Sequence, residues 1–344
     1  MSICLSFRSA TLAVVLALSG GAGWGQPPTV SPGHPEVSVV SRAESRSITD
    51  WLVHMQQASR TRNYVGTMVV SSDATLASAR IWHACDGQQQ IERVDSLTGP
   101  PRSTFRRDDH VVTFLQDSKT ALIEKRASLG TFPSVLQGPE SSIGEHYASR
   151  LIGEDRVAGF DADVVLLRAR DRQRYGYRIW SEKRTGLVVK LQTLDLDGKV
   201  LEQAAFSELQ LDAPVRMSKL SQMMAKTSGY RQEVLESAPT DPGAEGWSLS
   251  IPVAGFKSMR CIKRPMQSGS VKAATVQWVF SDGLASVSLF LEPYDTQIHV
   301  KEGLLAVGAT QSLTQRVDEW WLTAVGEVPP VTLKAFAQAL ERKK

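Results

Sequence analysis

His83 and Cys85 form the one closely spaced His/Cys pair in the sequence. Two residues apart on a strand, they would point to the same face, as two metal ligands do. No third ligand stands at a matching spacing, so a structural pair is the better reading. Asp195-Leu196-Asp197-Gly198 opens like a calcium loop. It lacks the distal glutamate and falls between two strand-like runs, which makes it an ordinary turn. The six histidines, at 34, 54, 83, 110, 146 and 299, are scattered, and none pairs with another at helical ligand spacing. There is no G-x-S-x-G elbow, P-loop, H-E-x-x-H or C-x-x-C, and each of those chemistries needs its own spacing. No catalytic residue, metal site or cofactor is assigned.

Two features point to binding instead. Arg168, Arg170, Arg172, Arg174 and Arg178 surround one hairpin. Arg168 and Arg170 share a sheet face and would meet an acidic partner or a lipid phosphate through charge-assisted bonds. The plainer alternative is a solvated hairpin tip, partly compensated by Asp171. The second feature is the aromatic set Tyr64, Trp82, Phe114, Tyr175, Tyr177 and Trp180. Aromatics on a curved sheet usually fill core, the alternative being a concave apolar cavity that takes a lipid tail. The candidate ligand residues are therefore Trp82, Phe114, Tyr177, Trp180, Arg168 and Arg170.

The elements that must position these residues follow from the pattern of the 344-residue chain. Hydrophobic content of 42% and charged content of 22% are those of a globular protein. Net charge is +3, from 39 basic and 36 acidic residues, too balanced for nucleic acid as the main partner. Asn63 is the sole asparagine and lacks the N-x-Ser/Thr context of a glycosylation acceptor. Residues 1–25 read as a cleaved signal peptide, with Arg8 before an apolar run from Ala10 to Leu18. That run is too short to span about 30 Å of hydrocarbon. The protein is therefore expected in the periplasm. Residues 26–44 read as a flexible, Pro/Ser-rich arm.

Ser47 and Asp50 have capping-box spacing, and Ile48, Trp51, Leu52, Met55 and Ala58 make one helical face that would cover a sheet. About eleven short strands follow up to Leu211, separated by turns such as Asp86-Gly87 and Gly99-Pro100-Pro101. Residues 128–149 are irregular. Met217–Ala225 reads as a short amphipathic helix. The resulting domain plan is 45–227, a connecting segment at 228–246, and 247–344. The last part holds strands at Ser258–Lys263, Ala274–Ser281, Leu284–Glu292, Leu304–Thr310 and Glu319–Val325, with Asp282-Gly283 as a two-residue turn. A final helix after Pro329-Pro330 carries Leu333, Phe336, Ala337 and Leu340 on one face. The fold class is α+β: a curved antiparallel sheet with helices, then a smaller α+β domain. Cys4 leaves with the signal, so Cys85 and Cys261 remain, either as a disulfide clamping the two domains or as free thiols.

Three stretches carry a family resemblance. Arg174-Tyr175-Gly176-Tyr177-Arg178-Ile179-Trp180 runs through Thr185-Gly186-Leu187 and Leu194-Asp195 to Gly198-Lys199-Val200-Leu201-Glu202-Gln203. Ser281-Asp282-Gly283-Leu284 precedes the alternating Ser286-Val287-Ser288-Leu289-Phe290, and Val325-Gly326-Glu327-Val328-Pro329-Pro330 precedes the closing helix. In this ordered set the chain resembles the RseB/MucB family of periplasmic sigma-E regulators over roughly residues 47–340. The resemblance implies an N-terminal half-barrel like the lipoprotein carriers LolA and LolB. It also implies a non-enzymatic role: binding the periplasmic part of a single-pass anti-sigma factor (RseA or MucA) and shielding it from regulated proteolysis. A lipid-like or lipopolysaccharide signal would weaken that grip. Partner contacts are expected in the C-terminal domain, at Trp278, Phe280 and Phe290, on a free sheet edge within Ala274–Glu292. A homo-oligomer is a further expected partner state. The competing reading is a periplasmic lipid or lipoprotein carrier, which would need no C-terminal domain.

Overall fold

The computed structural model describes residues 48–72, 75–125, 143–265 and 274–343. The expected signal peptide, the arm, Ser47 and most of the irregular run lie outside them. Helix α1 (Ile48–Thr61) opens the described chain. Six strands then meander: β1 (Tyr64–Ser72), β2 (Leu76–Cys85), β3 (Gln90–Ser96), β4 (Arg102–Arg107), β5 (His110–Leu115) and β6 (Thr120–Lys125). A four-residue helix, α2 (Ile143–His146), leads into the second meander. Its strands are β7 (Tyr147–Val157), β8 (Phe160–Ala169), β9 (Gly176–Glu182), β10 (Val188–Leu194) and β11 (Val200–Leu211). Antiparallel pairing of β1 with β11 fuses the two meanders, Tyr64 lying opposite Leu211.

Alternation decides what each face buries. Ile81 and Val94 lie on the face where Ala58 of α1 packs with Tyr64 and Phe206. Farther along, Leu52 and Met55 of the same helix meet Val165, Leu167, Ile179 and Val188. Ala84 and Ile91, of the opposite parity, join Phe105, Val112 and Phe114 under Leu220 of α3 (Met217–Ala225). The two helices thus cover opposite faces of one sheet at opposite ends, which divides the apolar interior into separate clusters.

The stretch expected as a bare connector is stitched to both halves. After α3, β12 (Arg231–Leu235) runs parallel to β6 and completes a twelve-stranded sheet with β12 and β7 at its edges. Two residues later, β13 (Ala238–Pro239) pairs antiparallel with β15. The second half consists of β14 (Trp247–Leu249), β15 (Lys257–Pro265), β16 (Ala274–Ser281), β17 (Ser286–Pro293), β18 (Gly303–Val307), β19 (Thr310–Val317) and β20 (Trp320–Gly326). Helix α4 (Pro330–Ala339) and β21 (Leu340–Arg342), paired with β14, end the described chain.

Seven strands form the second sheet in the order β13-β15-β16-β17-β20-β19-β18. The sequence pattern merged β18 with the turn after it and missed β19. Val276, Trp278, Phe280, Val287, Leu289, Leu291, Leu322 and Ala324 make its inner face, closed by Leu333, Phe336 and Ala337 of α4. Leu289 sits at the centre with no exposure. Leu289→Ala is expected to cost about 2–5 kcal/mol, read as a lower midpoint in thermal or urea unfolding.

Candidate functional site

The residues singled out from the sequence do not converge. Tyr177 belongs to the α1-side cluster, Trp180 to its neighbour, and Phe114 to the cluster under α3. Trp82 lies half-buried beside that last cluster, with the Arg93 guanidinium 4.7 Å above its ring. Trp180 donates from Nε1 to Asp155 Oδ2 at 2.9 Å. Arg168 and Arg170 are exposed on the hairpin side, and Arg170 Nε donates to the Gly144 carbonyl at 3.3 Å. The four aromatics therefore do not line one common cavity.

The C-terminal candidates also divide by parity. Trp278 and Phe280 point into the core, ring centroids 4.6 Å apart. They line an open groove of about 380 Å³ with Trp247, Val253 and Phe256. Phe290 lies half-buried on the other face, opposite Gln277. The free edge expected within Ala274–Glu292 does not exist, because β16 and β17 are paired on both sides. Nor is there a disulfide. Cys85 is a free thiol that donates to Asn63 Oδ1 at 3.4 Å, and Cys261 is a free thiol in the second core. Burial pushes the Cys261 thiol up to about 11, leaving it inert at neutral pH. His83 stacks on Tyr64 at 4.9 Å and bonds the Arg62 carbonyl and Gln90, a structural histidine.

What the structure does bring together is a seam between the two sheets, centred on Arg174. This side chain is fully buried. Its Nε donates to Asp282 Oδ2 at 2.6 Å, its Nη2 to the Ala254 carbonyl at 2.5 Å, and its Nη1 to Asp171. Phe256 lies under the guanidinium at 4.9 Å. Tyr147 adds a hydroxyl donated to Asp282 Oδ2 at 3.0 Å. Asp282 sits in a four-residue loop between β16 and β17, not in the expected two-residue turn. The other carboxylate oxygen, Oδ1, accepts the N–H groups of Leu284 and Ala285 at 2.9 and 2.7 Å, which fixes the longer loop. Leu284 then plugs into the α1-side cluster.

The seam continues on either side. Thr332 at the start of α4 donates to the Gln173 carbonyl at 2.7 Å. Tyr175 bonds Gln311 of β19, and Glu202 of β11 accepts the N–H of Ala309. Gly255 has φ +80°, and a Cβ there would lie 2.1 Å from Arg174 Nη2 and 2.5 Å from His146 Nε2. Glu327 keeps one side open to solvent, yet desolvation first and the Glu202 charge second push its carboxyl up to about 7.

A cleft of about 880 Å³ lies at the connector, between β6–β12 and β13–β15. Ile123, Val234, Leu235 and Ala238 supply apolar wall, and Glu124, Lys125, Glu236 and Lys263 supply charges of both signs. The short apolar runs Ala121-Leu122-Ile123 before Lys125 and Val234-Leu235 after Arg231 were the available signal; the parallel pairing that brings them together was not.

A buried ion pair adds little net stability, but removing one partner strands the other at a cost of about 3–5 kcal/mol. Arg174→Met should therefore lower the unfolding midpoint sharply, and Arg174→Met with Asp282→Asn, which removes the stranded charge but keeps an acceptor for the Leu284 and Ala285 N–H groups, should recover part of the loss in the same melt. The raised Glu327 carboxyl keeps its proton in the folded protein where the unfolded chain has released it. Its contribution is present at low pH and is lost as pH rises through about 7. Glu327→Gln should flatten that part of the stability-versus-pH curve.

The sequence and the fold have close counterparts. Residues 47–224 match the model of the MucB/RseB N-terminal domain, and residues 241–341 that of the MucB/RseB C-terminal domain. The Sigma factor AlgU regulatory protein MucB of Pseudomonas aeruginosa is 27% identical over 309 residues, 88% of this chain and 93% of that protein. The Sigma-E factor regulatory protein RseB of Escherichia coli K12 is 24% identical over 294 residues, 84% and 89% of the two chains. A crystal structure of MucB in complex with MucA(peri) superposes with a TM-score of 0.64 at 25% identity, covering 86% of this chain and 99% of that one. No described helix is long and apolar enough to cross a membrane. With one family model over each sheet, the chain belongs to the MucB/RseB family.

Proposed function

We propose that this chain is a periplasmic regulator of a sigma-E-type factor, acting by binding the periplasmic part of an anti-sigma factor and shielding it from regulated proteolysis. The observation that carries the reading is the match of both family models, joined to relatives named as sigma-factor regulators and a solved relative bound to MucA(peri). We read it as a binding protein without catalytic activity. In this reading residues 1–25 are the signal peptide, 26–44 the arm, 45–227 the sensing domain, 228–246 the connector and 247–344 the domain holding most of the partner contact.

A ligand can release a partner only if it favours a form with lower partner affinity. The seam is the element we assign to this switch, with Arg174, Asp282 and Leu284 docked in the high-affinity form and apart in the other. We place the lipid-like signal in the connector cleft, where the apolar wall suits an acyl chain and Lys125 suits an anionic head, Lys263 being paired with Glu245 at 2.8 Å. A chain lodged between β12 and β13 would act directly on the segment that joins the sheets.

Titration with the anti-sigma factor's periplasmic segment should give saturable binding, weakened by lipopolysaccharide by about 5–150-fold. Leu235→Trp, which fills the cleft, should leave lipid-free affinity unchanged and blunt the lipid effect. Folded protein that fails to bind the segment would remove the reading.

A further inference from the structure

We propose that the proline-rich segment 27–35 docks along the aromatic groove in the second half of its own chain. The groove is walled by Trp247, Phe256, Trp278 and Phe280, with Pro242 and Pro252 beside them. Among the described residues Asp241 is the one charged group lining it, and its Oδ1 already accepts the Ala244 N–H at 3.0 Å. Ile251, next in the chain to Pro252, adds apolar surface that is 70% exposed. A groove of this kind takes a neutral, apolar occupant.

Segment 27–35 has that chemistry. It reads Pro-Pro-Thr-Val-Ser-Pro-Gly-His-Pro, with four prolines and no Asp, Glu, Lys or Arg. Pro32 and Pro35 stand three apart, and a polyproline II helix turns once every three residues, so both would fall on one ridge. Segments of this spacing dock grooves lined by aromatic rings, at a small entropic cost because the helix is preformed. Such a backbone keeps its carbonyls unpaired, and Trp247 holds a buried Nε1 donor with no acceptor among the described residues. The connector cleft differs, since its apolar wall is aliphatic and four charged residues line it.

The length of the chain puts the groove within reach. Twelve residues, 36–47, join Pro35 to the start of α1 and span about 40 Å when extended. Ile48 lies against α2, where a Cβ on Gly144 would sit 3.7 Å from Ile48 Cγ2. His146 ends α2 and lies against Gly255, whose Cβ would sit 2.5 Å from His146 Nε2, and Phe256 of the groove follows. This relay keeps Ile48 within about 30 Å of the groove wall. A tether of that length holds the segment at an effective concentration on the order of 1 mM. If the free segment binds at about 100 μM, it is docked in roughly nine molecules of ten.

Fluorescence anisotropy with a labelled peptide of residues 26–36 tests the proposal on two forms of the protein. One starts at Gln26 and the other at Ser45, which keeps every described element. The shorter chain should bind the peptide saturably, and the longer one, its groove already filled, roughly tenfold more weakly. Pro32→Ala with Pro35→Ala in the longer chain should restore the tighter binding. Both positions precede α1, so the thermal midpoint should not move. Hydrogen exchange gives the place: the amides of Trp247 and residues 253–258 should exchange roughly tenfold faster in the shorter chain. Equal peptide binding by the two chains, or equal exchange across 247–258, would overturn the proposal. So would protection that falls away on dilution, which would put the segment in another molecule's groove. Protection that appears only with an anti-sigma segment would also overturn it and give the groove to that partner.

Discussion

A guanidinium with no solvent exposure has to keep every one of its acceptors, and Arg174 has drawn them from both halves of the molecule. Asp171 lies on its own hairpin, while Asp282 and the Ala254 carbonyl belong to the second half. Leaving any one of these unmet in a dry seam is costly, whereas the whole set contributes little net stability over apolar packing. The cluster therefore acts less as glue than as a selector of one docking geometry. It accounts for Gly255, where a side chain would displace the guanidinium, and for the four-residue loop that presents Asp282.

The large sheet imposes a second constraint. Its helices cover opposite faces at opposite ends, so the aromatic residues of β2, β5, β9 and their neighbours divide among three clusters. The aromatic side chains expected to line a lipid site instead fill three local cores. Open apolar space appears instead where the two sheets approach one another.

Much of the fold was legible because its signals are local. Leu52, Met55 and Ala58 recur at helical spacing, and Gly and Asp turns punctuate strands about ten residues apart. Helix 217–225 and strand 274–281 have the limits the pattern gave them. What was hidden depends on contacts between distant residues. Arg174 reads as one more arginine on a basic hairpin until Asp282, 108 positions away, is placed against it. Asp282-Gly283 has ordinary hairpin chemistry, and only its buried partners explain the longer loop. The Gly, Ser and Pro content of 228–246 reads as linker, since a parallel strand borrowing its neighbour from β6 leaves no mark in composition.

That borrowed strand limits how the molecule can move. β12 is held by the first sheet to Leu235 and β13 by the second from Ala238, leaving Glu236 and Ser237 as the only unpaired links between them in this stretch. Two extended residues reach about 7 Å at most. Such a tether acts as a pivot pin. Any change in how the two sheets dock therefore turns about Glu236 and Ser237, whose backbone angles no strand pairing holds in this stretch.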